Sequence, residues 1–109
     1  MRSWDLSKID VEPQKPVVVD SEDEGRAILI ALLAGEALPE HQVHERAWVL
    51  VVSGRVRISK PNGEDAEGGA GLLAIFDPAE RHEVVAVETA RVLLVLSPWP
   101  GEGHPSRRA

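Results

Sequence analysis

Cysteine is absent from this chain of 109 residues. Its absence excludes disulfide bonds, catalysis by a thiol nucleophile and zinc sites built from thiolates. The stability of the protein and any chemistry it performs must therefore come from other side chains.

Clustered basic charge and long apolar segments are also missing. The chain has 12 Lys and Arg against 18 Asp and Glu, a formal net charge of -6, whereas a nucleic-acid surface needs clustered Lys and Arg. The longest apolar stretch, residues 27–34, is too short to cross a bilayer. The N-terminus lacks the apolar block of a signal peptide. We therefore expect a cytoplasmic protein that binds neither nucleic acid nor membrane.

The length and composition favour one globular domain. Hydrophobic residues make up 43% of the chain, which is typical of a folded rather than a disordered protein. A length of 109 residues is enough for one core but not for two. We predict a single domain over residues 1–109, with an N-terminal arm (1–16), a barrel (about 17–96) and a tail rich in Pro and Gly (97–109).

Short apolar runs alternate with turn signals along the chain. Ser53-Gly54 is interpreted as a tight turn, and residues 88–90 are interpreted as a break between the last two strands. Residues 60–64 contain Asn-Gly, a strong hairpin signal. The pattern predicts seven or eight short strands in an all-β sandwich or barrel, with apolar runs at 17–19, 27–34, 47–52, 55–59, 72–76, 83–87 and 91–96.

Histidine stands at the start of two of these strand-sized regions. His41 and His44 follow a glycine and a proline in residues 35–45, and His82 follows a proline turn in residues 77–82. Histidines brought together from separate strands of one small sheet form metal or ligand pockets in compact all-β proteins. We therefore expect His41 and His82 to line one inner cavity.

The order of glycines, prolines and histidines resembles that of the cupin family over about residues 17–96. The first motif is carried by Gly35, His41 and Gly54, and the second by Gly71, Pro78 and His82. The resemblance implies an all-β double-stranded β-helix (jelly-roll) barrel that is often dimeric. It also implies that a divalent metal is bound through three histidines and a glutamate in many members, which include dioxygenases and sugar or acid isomerases.

Two of the four ligand positions implied by the resemblance carry other residues. Val43 stands where the second histidine would be, and Ala47 stands where the glutamate would be, so His44 and Glu45 are shifted candidates. The chain thus resembles a subset of small cupins that have one histidine in the first motif. If His41 faces inward in a regular strand, Glu45 can join it, but His44 can do so only across a β-bulge.

Three interpretations of the site remain open. In the first, His41, His44, Glu45 and His82 bind a divalent ion, and imidazole with carboxylate suits zinc, iron, nickel or manganese equally. In the second, His41 and His82 recognise a small molecule without metal. In the third, these histidines are satisfied polar residues at the mouth of a barrel and perform no chemistry.

Two functional classes follow, and the sequence does not choose between them. The protein is either an enzyme that acts on a small organic molecule or a non-catalytic protein that binds or senses one. Glu80 and Arg81, beside His82, either orient a substrate carboxylate or a metal-binding histidine, or form a solvated turn. A third possibility is a structural role through dimerisation. We expect a homodimer whatever the activity, because Trp48, Leu50 and Val52 form an apolar outer face.

Overall fold

The structure of the protein is a computed structural model that describes residues 1–41 and 43–103, with the backbone alone for residues 39–41. The predicted tail beyond residue 103 and residue 42 lie outside the described residues. Within them, no helix is long and apolar enough to span a membrane. The seven strands are β1 (Val17–Glu22), β2 (Gly25–Leu32), β3 (Ala37–His41), β4 (Arg46–Ser59), β5 (Asp65–Gly68), β6 (Leu73–Phe76) and β7 (His82–Ser97).

Two long strands, β4 and β7, organise the fold. They pair with each other in antiparallel fashion from Arg46↔Ser97 to Ser59↔Glu83. Beyond the middle of this pair the neighbours change, so the sheet divides into two halves. The first half has the order β1-β2-β7-β4-β6 and uses residues 90–97 of β7. The second half has the order β3-β7-β4-β5 and uses the opposite ends of the same two long strands.

The predicted turn at Ser53-Gly54 and the predicted break at residues 88–90 are both wrong. Both segments lie inside continuous strands, where β4 and β7 pass from one half to the other. The register of the pair shifts between Val51 and Ser53 and again around Arg55. Gly54 has φ of 78°, and a Cβ at this position would collide with the carbonyl oxygen of Thr89. The glycine therefore marks a bulge at which two backbones touch, rather than a chain reversal.

The predicted hairpin at residues 60–64 is confirmed, but the strand that follows it was not predicted. Lys60 N donates to the Glu64 carbonyl at 2.9 Å, and Gly63 N donates to the Lys60 carbonyl at 3.0 Å. The turn leads into β5, whose register partners on β4 include Ile58↔Ala66. Because the Asp65–Gly68 sequence is short and polar, it lacks the apolar signal by which the other strands are recognised.

The core lies between the two halves and follows the predicted alternation along β4. Glu45, Ala47, Val49 and Val51 are buried, whereas Trp48 is 39% exposed. Both halves contribute to one continuous cluster, so neither half forms a separate core. Its buried members are Ile30, Leu32, Ala47, Val49, Val51, Val56, Ile58, Phe76, Val84, Ala86, Ala90, Val92 and Leu96.

The outer face of the first half is covered unevenly. The N-terminal arm is held to β7 because the Arg91 guanidinium donates to the Leu6 and Ile9 carbonyls at 2.9 and 2.6 Å. On β4 and β6, in contrast, Trp48, Leu73 and Ile75 are exposed. Trp48 and Ile75 are direct register partners. We call these three residues the outer apolar patch.

Candidate functional site: a buried histidine beside a seam cavity

The aromatic ring of Phe76 stacks on the imidazole of His82 and joins the two halves of the sheet. The stack lies far along the sheet from the bulge at Gly54, where β4 passes from one half to the other. Phe76 ends β6 in the first half, and His82 begins β7 in the second half. Their ring centroids are 4.1 Å apart and the planes differ by 11°. Because Phe76 is 5% exposed and His82 is 1% exposed, the stack is part of the interior. The loop that joins the two residues runs between the halves.

The neighbouring backbone orients the imidazole of His82. Its Nδ1 lies 3.3 Å from the carbonyl oxygen of Glu80. A carbonyl oxygen can only accept a hydrogen bond, so in the neutral ring this contact is a hydrogen bond in the tautomer that carries its proton on Nδ1. The lone pair of the ring is then on Nε2, the nitrogen that could accept a hydrogen bond or bind a metal ion.

His41 lies directly opposite His82 in the sheet. The two residues are register partners in the β3–β7 ladder. His82 begins β7 as predicted, but the prediction that His41 also begins a strand is wrong, because His41 ends β3 and β4 begins only at Arg46. Direct partners on antiparallel strands are the closest cross-strand neighbours in a sheet. The prediction that separate strands bring these two positions together therefore agrees with the backbone, while the side chain of His41 lies outside the described part of the structure.

Glu45 is buried, and its carboxylate binds the C-terminal segment. The side chain is 1% exposed, and Oε2 accepts a hydrogen bond from the backbone N–H of Gly101 at 2.6 Å. Gly101 is packed so closely that a Cβ there would lie 2.7 Å from the carbonyl oxygen of His44 and 2.9 Å from Cγ of Glu45. The structure thus shows Glu45 fastening residues 98–101 to the connection between β3 and β4.

His44 points away from the core. It is exposed and lines a shallow surface depression with Pro78, Pro98 and Glu102. This agrees with the alternation that places Glu45 inside and His44 outside. Within residues 1–41 and 43–103, as far as their side chains are described, no group of three or more His, Asp or Glu could hold a metal ion.

A cavity of about 230 Å³ opens between β5 and β6. β6 is an edge strand of the first half of the sheet and β5 is an edge strand of the second half. Each of them pairs with β4. Five small or apolar residues from the two halves form its wall, namely Ile58, Ala66, Ala74, Ile75 and Phe76. We call this space the seam cavity. It shares Phe76 with the histidine stack.

An ion pair stands at the rim of the seam cavity. Lys60 lines the cavity and forms a salt bridge with Glu80, with both side chains about a quarter exposed. Hydrogen bonding to Lys60, and then to the Asp77 N–H, lowers the pKa of Glu80. The same hydrogen bond to Glu80 raises the pKa of Lys60. Both groups are therefore charged at neutral pH, and each compensates the other.

Sequence reasoning missed several residues of this region. The sequence pattern places Lys60 only in a hairpin and Phe76 only in a strand, although the position of Phe76 just before the Asp77-Pro78 turn marks it as a strand end near His82. Glu80 was noted as a residue that could orient His82, and its carbonyl does contact the ring. Nothing in the sequence indicated Gly101, because its contact depends on a residue 56 positions away.

Solved structures with the same fold are numerous. A conserved uncharacterised protein with a double-stranded β-helix domain from Klebsiella pneumoniae is 20% identical, with a TM-score of 0.79 and coverage of 93% of both chains. An RmlC-like cupin from Desulfovibrio desulfuricans is 18% identical, with a TM-score of 0.80 over 90% of this chain and 97% of that one. KdgF from a Halomonas species is 24% identical, with a TM-score of 0.71 over 83% and 85%.

At these identities the likeness shows the fold, and it confirms the predicted all-β double-stranded β-helix. No curated protein sequence matches the chain. The sequence pattern that defines the cupin domain matches residues 28–97, which is more than half of the chain. The protein therefore belongs to the cupin family.

Proposed function

We propose that this cupin binds a small organic molecule in the seam cavity, against the ring of Phe76. The observation that carries the proposal is the double role of this ring, which lines the cavity and stacks on buried His82. The stack fixes the orientation of an aromatic surface without exposing it to bulk water. An engineered apolar cavity of about 150 Å³ is large enough for benzene, so a cavity of about 230 Å³ suits a single substituted ring.

The state of Lys60 favours binding over catalysis. An amine acts as a nucleophile or a general base only when it is deprotonated, and catalytic lysines have lowered pKa values. Here the salt bridge with Glu80 raises the pKa of Lys60. The ammonium is therefore a fixed charge at the rim, and its role is to hold Glu80 in place beside His82.

Titration with benzyl alcohol tests this proposal, with binding followed by the backbone amide shifts of the protein. We expect saturable shifts around Phe76 and Ile58. The variant Ala74→Leu adds bulk to the cavity wall and should remove these shifts, whereas Ala70→Leu, in an exposed loop, should leave them unchanged. Thermal melts of both variants establish that they are folded. Shifts that persist in Ala74→Leu would refute binding at the seam cavity.

Divalent metal binding by His41 and His82 is a second candidate, favoured by their direct pairing in the β3–β7 ladder. The contact between His82 Nδ1 and the Glu80 carbonyl is the kind of support that metal-binding histidines use. Zinc, iron, nickel or manganese held there would supply a Lewis acid for a carbonyl group or water. Glu45 contributes less readily to such a site, because Oε2 is already used by Gly101.

Elemental analysis of protein equilibrated with each ion and then desalted tests the second candidate. A stoichiometric ion in the wild type that is lost in His82→Ala and retained in His44→Ala would support it, since His44 is exposed. Retention of the ion in His82→Ala would rule out this pair of ligands. The absence of any ion from the wild type would favour the metal-free interpretation.

A further inference from the structure

We infer that the molecule bound in the seam cavity is a small organic cation, with an apolar body against Phe76 and an ammonium group at the rim. The inference rests on the proposed function and specifies its ligand class. It follows from the combination of an apolar wall with an unequal distribution of charge around the opening.

The inner part of the cavity suits an apolar group. Ile58 is 3% exposed and Phe76 is 5% exposed, and both belong to the core. Ala66 and Ala74 contribute only methyl groups to the wall, so they leave space rather than fill it. Ala66 is the register partner of Ile58, and Ala74 is the register partner of the buried Val49. These four residues therefore continue the inner face of the sheet, whereas Ile75, which also lines the cavity, belongs to the exposed outer apolar patch.

The residues at the rim of the seam cavity carry a net negative charge. Two are acidic and one is basic, and Glu80, the salt-bridge partner of Lys60, adds a further negative charge. Lys60, Glu64 and Asp65 all line the opening. Lys60 is compensated by Glu80, so the carboxylates of Glu64 and Asp65 remain as the uncompensated charges. In the part of the chain that the structure describes, neither of them forms a salt bridge.

The local turn fixes the backbone from which these two exposed side chains project. Glu64 N donates to Oδ1 of Asn62 at 2.9 Å, and the Glu64 carbonyl accepts from Lys60 N. Asp65 begins β5 and is the register partner of Ser59. The acidic side of the rim is thus attached to a hydrogen-bonded hairpin directly beside the apolar wall.

The same charges also act on Lys60. The pKa of Lys60 is raised first by its hydrogen bond with Glu80, and the charges of Glu80, Glu64 and Asp77 add to this effect. One ammonium therefore faces several carboxylates. A second cation near the rim would gain from the excess negative charge, whereas an anion would be repelled by it and by the net charge of -6 of the chain.

Three probes of similar shape and different charge test the ligand class, namely benzylamine, benzyl alcohol and benzoate. Their affinities are measured at pH 7 and low salt from the amide shifts of the full chain. A partly exposed pair with one carboxylate changes affinity by about fivefold at most. Because two carboxylates, Glu64 and Asp65, lie at the rim, we expect benzylamine to bind about five- to tenfold more tightly than benzyl alcohol, and benzoate to bind most weakly. High salt should reduce the differences.

The double variant Glu64→Gln and Asp65→Asn retains the shape of the rim and removes its charge. It should bring the affinity of benzylamine down to that of benzyl alcohol and leave the affinity of benzyl alcohol unchanged. Glu67→Gln is the matched control on the same strand, because Glu67 pairs with Arg55 and Arg57 away from the cavity lining. This control should retain the preference for benzylamine.

The possible outcomes separate this inference from the proposed function. Equal affinity for all three probes, or a preference for benzoate, overturns the cationic class while binding in the seam cavity stands. Failure of all three probes to bind overturns both. If the double variant does not fold, the salt dependence of the wild-type preference decides, because a preference for benzylamine that is insensitive to salt would also overturn the inference.

Discussion

Removal of the Glu45 carboxylate should destabilise the protein, even in the absence of any metal or ligand. In Glu45→Ala the Gly101 N–H loses its charged acceptor, a bond of 2.6 Å in a buried environment. Hydrogen bonds to charged groups contribute about 1.5–3 kcal/mol, and the lost packing of the side-chain methylenes adds to this. We expect the free energy of unfolding to fall by about 2–4 kcal/mol.

Glu45→Gln separates a structural role from a role as a metal ligand. The amide oxygen of glutamine can still accept from Gly101 N, so the loss of stability should be about 1 kcal/mol or less. Glu12→Ala is the surface control, since Glu12 is 68% exposed in a salt bridge with Lys15. This substitution should change stability by less than about 0.5 kcal/mol.

Urea denaturation measures these free energies, and hydrogen exchange at the Gly101 amide reports the bond itself. The amide should be protected in the wild type and in Glu45→Gln, and it should exchange rapidly in Glu45→Ala. The reasoning is refuted if Glu45→Ala unfolds within about 0.5 kcal/mol of the wild type or if the Gly101 amide stays protected in that variant. A metal affinity lost in Glu45→Gln, with unchanged stability of the metal-free protein, would instead identify Glu45 as a ligand.

Three further perturbations test other parts of the structure. Gly54→Ala should lower the free energy of unfolding, measured by urea denaturation, by more than about 3 kcal/mol, because its Cβ would lie 2.7 Å from Ala90 Cα. Gly63→Ala is the control, since Gly63 has a similar φ and no atom within 4 Å, and it should lower the free energy of unfolding by about 1–2 kcal/mol. Equal losses in the two variants would contradict the close approach at Gly54. The lowered pKa of Glu80 implies a stabilisation that is present above its unfolded pKa of about 4.3 and is lost as the pH falls through the folded value. The stability difference between wild type and Glu80→Gln should therefore shrink between pH 7 and pH 3, and a difference independent of pH would count against the ion pair. Trp48→Arg, in the outer apolar patch, should convert the expected homodimer to a monomer in light scattering, and a monomeric wild type would disprove the dimer.

The hydrophobic pattern predicted most of the fold, but it did not predict how the strands join. Apolar runs separated by turn signals identified the strands that carry the core, because burial on a sheet leaves a direct signature in the sequence. The hydrophobic pattern wrongly divided β4 and β7 into two strands each. In β4 the reason is Gly54, because a glycine at a hairpin and a glycine at a bulge cannot be distinguished in a sequence. It missed β3, which the sequence analysis did not separate from the region that follows His41. It also missed β5, whose four residues are mostly exposed and are held by pairing with β4 rather than by burial.

The candidate site was predicted only in part, for a related reason. The meeting of His41 and His82 was expected from their places beside separate strands. The burial of Glu45 and the exposure of His44 agree with the predicted alternation, although both residues lie in the connection between β3 and β4 and not in one strand that starts at His41. The acceptor role of Glu45 was not predictable, because its donor lies in a Pro- and Gly-rich segment that carries no periodic pattern. The predicted metal ligands therefore remain a proposal in which His82 is better supported than Glu45.

The sequence by itself determined the class of this protein, since strand periodicity, punctuation and the spacing of glycine and histidine are local properties that one chain records. Only the tertiary structure decided which groups meet. The ring of Phe76 stacks on His82, Lys60 pairs with Glu80, and the Glu45 carboxylate accepts from the backbone N–H of Gly101. These contacts join the two halves of the sheet and the C-terminal segment, so they depend on how β4 and β7 bend around the core. Such long-range geometry arises from packing of the whole chain, and no short stretch of sequence encodes it.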